Sequence, residues 1–134
     1  MPPRRFGEMG IVSRPARVSG ALFLAAAAFQ TALAAGAPWG AAAWGGDHHG
    51  TLPVGYRLGS AGSAAVLATL GLGVGGRMSD PRRRRRLLTG ALGFAGLSAV
   101  MNAVSPSAIE RSIWTSHAVL QIGALIAARR AESA

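Results

Sequence analysis

Cysteine is absent from this chain, which excludes disulfides, thiol redox chemistry and cysteine-ligated metal. Lysine is absent too: all 14 basic residues are arginine, which with the alanine and glycine excess points to a GC-rich genome. Aromatics make up 6% of the residues, too few to fill a water-soluble core. Acids are scarcer still, at five. None lies within an apolar stretch, and no arginine lies deeper than about one helical turn. Proton-coupled carriers and pumps keep such a group at depth, so the absence counts against active transport. There is no nucleophile–base pair, P-loop, H-E-x-x-H or dinucleotide fingerprint, so neither an enzyme nor a cofactor is expected.

What the chain does have is apolar length. Half of its 134 residues are apolar and 19 are glycine, which membrane helices tolerate better than soluble ones. Four apolar stretches stand out: Val18–Trp39, Leu58–Gly76, Leu87–Val104 and Ile113–Ala128. About 20 such residues in a helix cross a hydrocarbon core of about 30 Å. The fold class expected is all-α: a four-helix transmembrane bundle of the cytoplasmic membrane. Its helices are expected near 18–39, 53–76, 81–104 and 107–128, after a basic tail (1–17) and before a short one (131–134).

The arginines set the orientation. Twelve lie on the N-terminal tail, the middle connection and the C-terminal tail, whereas only Arg57 and Arg111 lie on the other side. The positive-inside rule therefore makes both termini cytoplasmic and points two hairpins outward. The first stretch has a basic flank and an Ala32-Leu33-Ala34 sequence like a cleavage site. Its apolar run is too long for a signal peptide, however, and four retained spans is the preferred reading.

Helix starts are legible in the connections. Asp80-Pro81 offers a capping side chain followed by proline at the first helical position. At Ser105–Glu110, either Pro106 occupies that position or Ser107 and Glu110 form an S-x-x-E capping box. Thr51-Leu52-Pro53 starts the second helix in a similar way. Trp39, Trp44, Tyr56 and Trp114 all fall near the outer boundary, as an aromatic belt requires. Alanines 91, 95, 99 and 103, and the pairs Gly55/Gly59, Gly59/Ser63 and Gly71/Gly75, suit close helix packing, within the bundle rather than at a dedicated dimer face.

Four groups of residues carry candidate chemistry. Gln30, Asn102, His117 and Gln121 are the polar side chains expected inside the membrane. His117 and Gln121, four apart, share a helix face. In an accessory subunit these four hydrogen-bond neighbouring helices; in a small oligomeric channel or transporter they line a pore. Asp47, His48 and His49 have metal-ligand chemistry, but adjacent histidines rarely converge on one ion, and a glycine-rich turn is the preferred reading. A metal or ligand sensor is the third alternative. Arg57, Glu110 and Arg111 form an outer polar cluster in which Arg57 is expected to pair with Glu110 across the bundle. Arg82, Arg83, Arg84, Arg85 and Arg86 suit anionic lipid headgroups or simple retention of topology. With no interleaved aromatics they do not suit nucleic acid. The partners expected are thus the lipid bilayer and either a second copy or another membrane protein.

The segments Pro38-Trp39-Gly40 with Gly45–Pro53 and Arg57, and Asn102–Ser107 with Glu110, Arg111 and Trp114, resemble a group of small four-span membrane proteins from high-GC actinobacteria. That group has no assigned function. The resemblance covers the spans and both outer loops but not the arginine-rich tails. Ser116 stands where the group is expected to have proline. The resemblance implies a signature lying wholly on the outer face and says nothing of mechanism; the residues themselves point to a non-enzymatic structural or accessory subunit.

Overall fold

The computed structural model describes residues 11–134; Arg4, Arg5 and Glu8 of the basic tail lie outside the described residues. Among the described residues there are four helices and no strand. Helix α1 spans Arg14–Ala35, α2 Val54–Gly75 and α3 Pro81–Ala103. The fourth, α4, begins at Ala108–Glu110, passes through a π-helical stretch Arg111–Thr115 and continues as Ser116–Ser133. Helices α1 and α2 are long and apolar enough to cross a membrane. Helix α3 opens on five arginines and α4 closes on Arg129, Arg130 and Glu132, which shortens their apolar runs.

The first helix sits about four residues earlier than the apolar pattern places it. Ser13 caps its start, accepting from Ala16 N at 3.3 Å, with Pro15 in the first turn. Gly36 ends it in the left-handed region at φ 103°, donating to Leu33 O while Ala37 N donates to Ala32 O. That paired bonding is a Schellman motif, which satisfies the last carbonyls and stops the helix despite apolar sequence beyond. Asp80 caps α3 as expected, its carboxylate accepting from Arg82 N and Arg83 N. At the start of α4, Ser107 is the cap and Pro106 lies outside the helix. The last helix runs on to Ser133, through the segment expected to be a tail.

Helices α1 and α2 form the closest pair, and α4 lies against both α1 and α3. The α1–α2 contact is backbone on backbone. A methyl group built on Gly20 would lie 2.7 Å from Gly75 Cα and 2.9 Å from Gly71 O, so only glycine fits. The Gly71/Gly75 pair thus packs within the chain. At the end of the bundle carrying the α2–α3 connection, Phe23, Val74, Leu88, Ala91, Leu125 and Ala128 form a closed core.

One device recurs at all three helix junctions. The fourth residue of α2, of α3 and of α4 is an arginine, and each donates back to backbone carbonyls, Arg57 and Arg84 at the end of the preceding helix and Arg111 in the connection just after it. Arg57 Nε reaches Ala34 O at 2.9 Å. One terminal nitrogen of Arg84 reaches Gly73 O at 2.9 Å and Gly76 O at 3.2 Å. Arg111 reaches Ser105 O at 2.6 Å, just past the end of α3. Carbonyls at a helix C-terminus lack intrahelical donors and carry the negative end of the helix dipole, so a guanidinium suits them on both counts.

Candidate functional site

The two outer loops, distant in sequence, interlock. Glu110 accepts from Gly45 N at 2.9 Å and from the Ser105 hydroxyl. Ser107 Oγ donates to Ala41 O at 2.8 Å, and Trp114 Nε1 donates to Ala42 O at 2.8 Å. Gly45 and Gly46 hold positive φ, as the turn reading requires, and Trp44 does so too at 54°. A tryptophan there is strained and stays only where its surroundings hold it. Ser60 does so: it is fully buried and accepts from Trp44 Nε1 at 3.0 Å, while the indole lies on Gly59. Aromatic rings continue the cluster. Phe29 stacks on Trp39, Phe29 meets Trp114 at 4.7 Å, and Trp44 meets Tyr56 at 5.6 Å.

The expected Arg57–Glu110 pair is not formed. Arg57 caps α1, and Glu110 is engaged by the Gly45 amide and the Ser105 hydroxyl. Orphaned carbonyls one helix away attract the guanidinium as a carboxylate would, and at shorter range along the chain. Arg57→Ala and Glu110→Ala are therefore expected to lower the melting temperature of the purified protein additively, to within about 0.5 kcal/mol. A coupling above about 1 kcal/mol would mean that the two side chains meet after all.

His48 packs against Tyr56 with ring centroids 4.9 Å apart, whereas His49 and Asp47 lie on the surface. Among the described residues no three His, Asp or Glu side chains come together as a metal site. His117, the one other histidine, lies apart from them on α4, where its Nε2 contacts Leu22 O on α1 at 2.9 Å.

Between α2 and α3, which barely touch apart from the Gly73–Leu87 contact, lies a cavity of about 740 Å³. Its walls are mostly apolar, and Gln30, Asn102, His117 and Gln121 all line it. The four share only a residue type in the sequence; the fold brings them to one place. On α4, His117 and Gln121 both turn toward α1, where Gln121 Nε2 donates to Ser19 O at 3.2 Å and to Ser19 Oγ at 2.5 Å. Asn102 Nδ2 donates to Ser98 O at 2.7 Å. The buried Oε1 atoms of Gln30 and Gln121 have no partner among the described residues. The π-helical stretch, which a single sequence does not signal, precedes this face of α4 and rotates it relative to the first turn.

At the opposite end the arginine run divides. Arg84 is 7% exposed and its fork holds Glu132 through Nε at 3.0 Å and a terminal nitrogen at 2.9 Å. It is a structural residue, so the expectation that all five arginines face headgroups is corrected for this one. A helix turns 100° per residue, so five consecutive side chains cannot share one face, and one points inward. Arg82, Arg83, Arg85 and Arg86 remain exposed. Beside them Arg77, Arg85, Arg129 and Glu132 line a second cavity of about 540 Å³.

No family model, curated protein or solved structure matches this chain.

Proposed function

We propose that this is a four-span protein of the cytoplasmic membrane with both termini cytoplasmic, acting as a non-enzymatic structural or accessory subunit. The observation that carries the reading is the outward face of the bundle. Val18 on α1, Leu58 and Leu72 on α2, Leu97 and Val100 on α3 and Leu120 on α4 are each more than half exposed. Apolar exposure on every helix is costly in water, where monomers rarely show contiguous patches beyond a few hundred Å², and costs nothing in hydrocarbon. The interior, by contrast, is rich in alanine, glycine and serine around a few larger side chains, and those small residues allow close approach where lipid supplies no hydrophobic drive.

The ends fit the same picture. Trp39, Trp44, Tyr56 and Trp114 gather at one, as interfacial aromatics do, and the exposed arginines at the other suit anionic headgroups. The resemblance to small four-span proteins is consistent with this. A pore through one chain is less well supported, because below Gln121 the bundle is closed by Val74, Leu88 and Leu125, each 1% exposed or less.

Reporter fusions test the topology. Fusions after Arg86 and after Arg130 are expected to report the cytoplasm, and a fusion at Gly50 the exterior. A cytoplasmic signal at Gly50 would overturn the model.

A further inference from the structure

The second cavity, at the arginine-bearing end of the bundle, is out of balance in charge. Arg77, Arg84, Arg85 and Arg129 line it against a single acid, Glu132. Arg84 is taken: Nε and one terminal nitrogen hold Glu132, and the other terminal nitrogen holds the carbonyls of Gly73 and Gly76. The ion pairs among the described residues are this one and Arg83–Asp80, so Arg77, Arg85 and Arg129 have no carboxylate to answer them. Three like charges around one pocket of about 540 Å³ repel one another, and an anion from outside relieves all three.

The frame of this pocket is fixed by a buried group. Arg84 is 7% exposed, and its fork ties the end of α2, the start of α3 and the end of α4 together. Each unpaired arginine stands beside one of those anchor points. Arg77 follows Gly76, Arg85 follows Arg84, and Arg129 lies one turn before Glu132 on the same face of α4. The three thus come from three segments whose relation one side chain holds.

Their chemistry narrows the anion. A guanidinium offers paired N–H groups to two oxygens of one acid group, and a phosphate accepts several such forks. A carboxylate has one charge and two oxygens, and would leave two of the three arginines unanswered. A phosphate monoester carries about −1.5 to −2 and three acceptor oxygens. Most of the remaining wall is apolar, from Ile11, Val12, Met78, Pro81 and Leu88, and suits an organic group bearing the phosphate.

We propose that this pocket binds one phosphate monoester through Arg77, Arg85 and Arg129, with the attached organic group against the apolar wall. A phosphatidic acid headgroup and a soluble glyceryl phosphate share this chemistry. The lipid source rests on the membrane reading above; the charge balance of the pocket does not. Arg82, Arg83, Arg86 and Arg130 do not line the pocket and take no part.

The test is a calorimetric titration of the full chain in an uncharged detergent at physiological ionic strength. The probes are dihexanoyl phosphatidic acid, dihexanoyl phosphatidylglycerol, glycerol 3-phosphate and citrate. One-to-one binding is expected, about tenfold tighter for phosphatidic acid than for phosphatidylglycerol. The phosphodiester keeps the tails and loses a charge and a free oxygen, and tenfold is about the scale of one charge-assisted hydrogen bond. Glycerol 3-phosphate within about tenfold of phosphatidic acid names the soluble source; weaker binding names the lipid. Arg85→Gln and Arg129→Gln should each weaken phosphatidic acid about tenfold. Arg86→Gln and Arg130→Gln, at neighbouring positions outside the pocket, should change it by less than about twofold, since salt screens exposed charges. All four side chains stand at the surface, and the melting temperature of each variant checks its fold.

Equal affinity for phosphatidic acid and phosphatidylglycerol, tighter binding of citrate, equal losses within either neighbouring pair, or no saturable heat at two temperatures would each overturn the proposal. The titration is blind to sidedness. Its failure leaves the fusion results standing, and an inverted topology would leave the titration standing.

Discussion

Gly20→Ala is expected to destabilise the protein by about 3 kcal/mol, by forcing a backbone clash into the seam between α1 and α2. The added carbon would sit 2.7 Å from Gly75 Cα and 2.9 Å from both Gly75 N and Gly71 O. All three obstacles are backbone, so no side chain can swing aside and the two helices must move apart along their whole seam. The control has the opposite sign. A carbon built on Gly93 meets nothing within 4 Å, so Gly93→Ala is expected to stabilise α3 by up to about 1 kcal/mol through helix propensity alone. Thermal melts of the two variants in detergent give the comparison. A Gly20→Ala protein melting with the parent would mean that α1 and α2 do not approach this closely.

The second large effect separates neighbours in the arginine run. Arg84→Leu removes a guanidinium with 9% side-chain exposure, leaving the Glu132 carboxylate and the carbonyls of Gly73 and Gly76 without their donor. Breaking a buried pair from one side costs about 3–5 kcal/mol. Glu132, at 29% exposure, recovers some water, which brings the expected loss down to about 2–3 kcal/mol. Arg83 is 81% exposed and meets Asp80 at 3.4 Å within the same turn, so Arg83→Leu should change stability by no more than about 0.5 kcal/mol. Arg84→Lys should fall between, because an ammonium cannot hold a carboxylate and two carbonyls with one planar fork. Equal melting temperatures for the Arg83 and Arg84 variants would refute the structural role.

The helices were legible in the sequence because their signals are local. Apolar length located α1 to α4, and Asp80-Pro81 marked the start of α3 to the residue. The end of α1 was misplaced because Ala37 to Trp44 stays apolar, although Gly36 and Pro38 carried the stop signal. The polar set Gln30, Asn102, His117 and Gln121 was identifiable by type, but its gathering around one cavity was not. That depends on the phase of α4, which the π-helical stretch alters without any marker in composition. Charge was read through sign alone, which paired Arg57 with Glu110. Unpaired carbonyls carry no letter in a sequence, yet those at helix ends attract Arg57 and Arg84, and those of the loop after α3 attract Arg111.

Those arginines also divide the polar contacts by order of synthesis. Each bonds carbonyls made shortly before it, Arg57 at a separation of 23 residues and Arg84 and Arg111 at fewer. Such loops are inexpensive to close, and each hairpin can register as soon as its second helix begins. The remaining ties of Ser19, Leu22, Ala41, Ala42 and Gly45 span 65 to 102 residues, and every one is made by α4 or its cap. A chain emerging from its N-terminus thus has three helices locked pairwise while a row of acceptors and one amide on α1 and the first loop stand open, and the last helix closes them together.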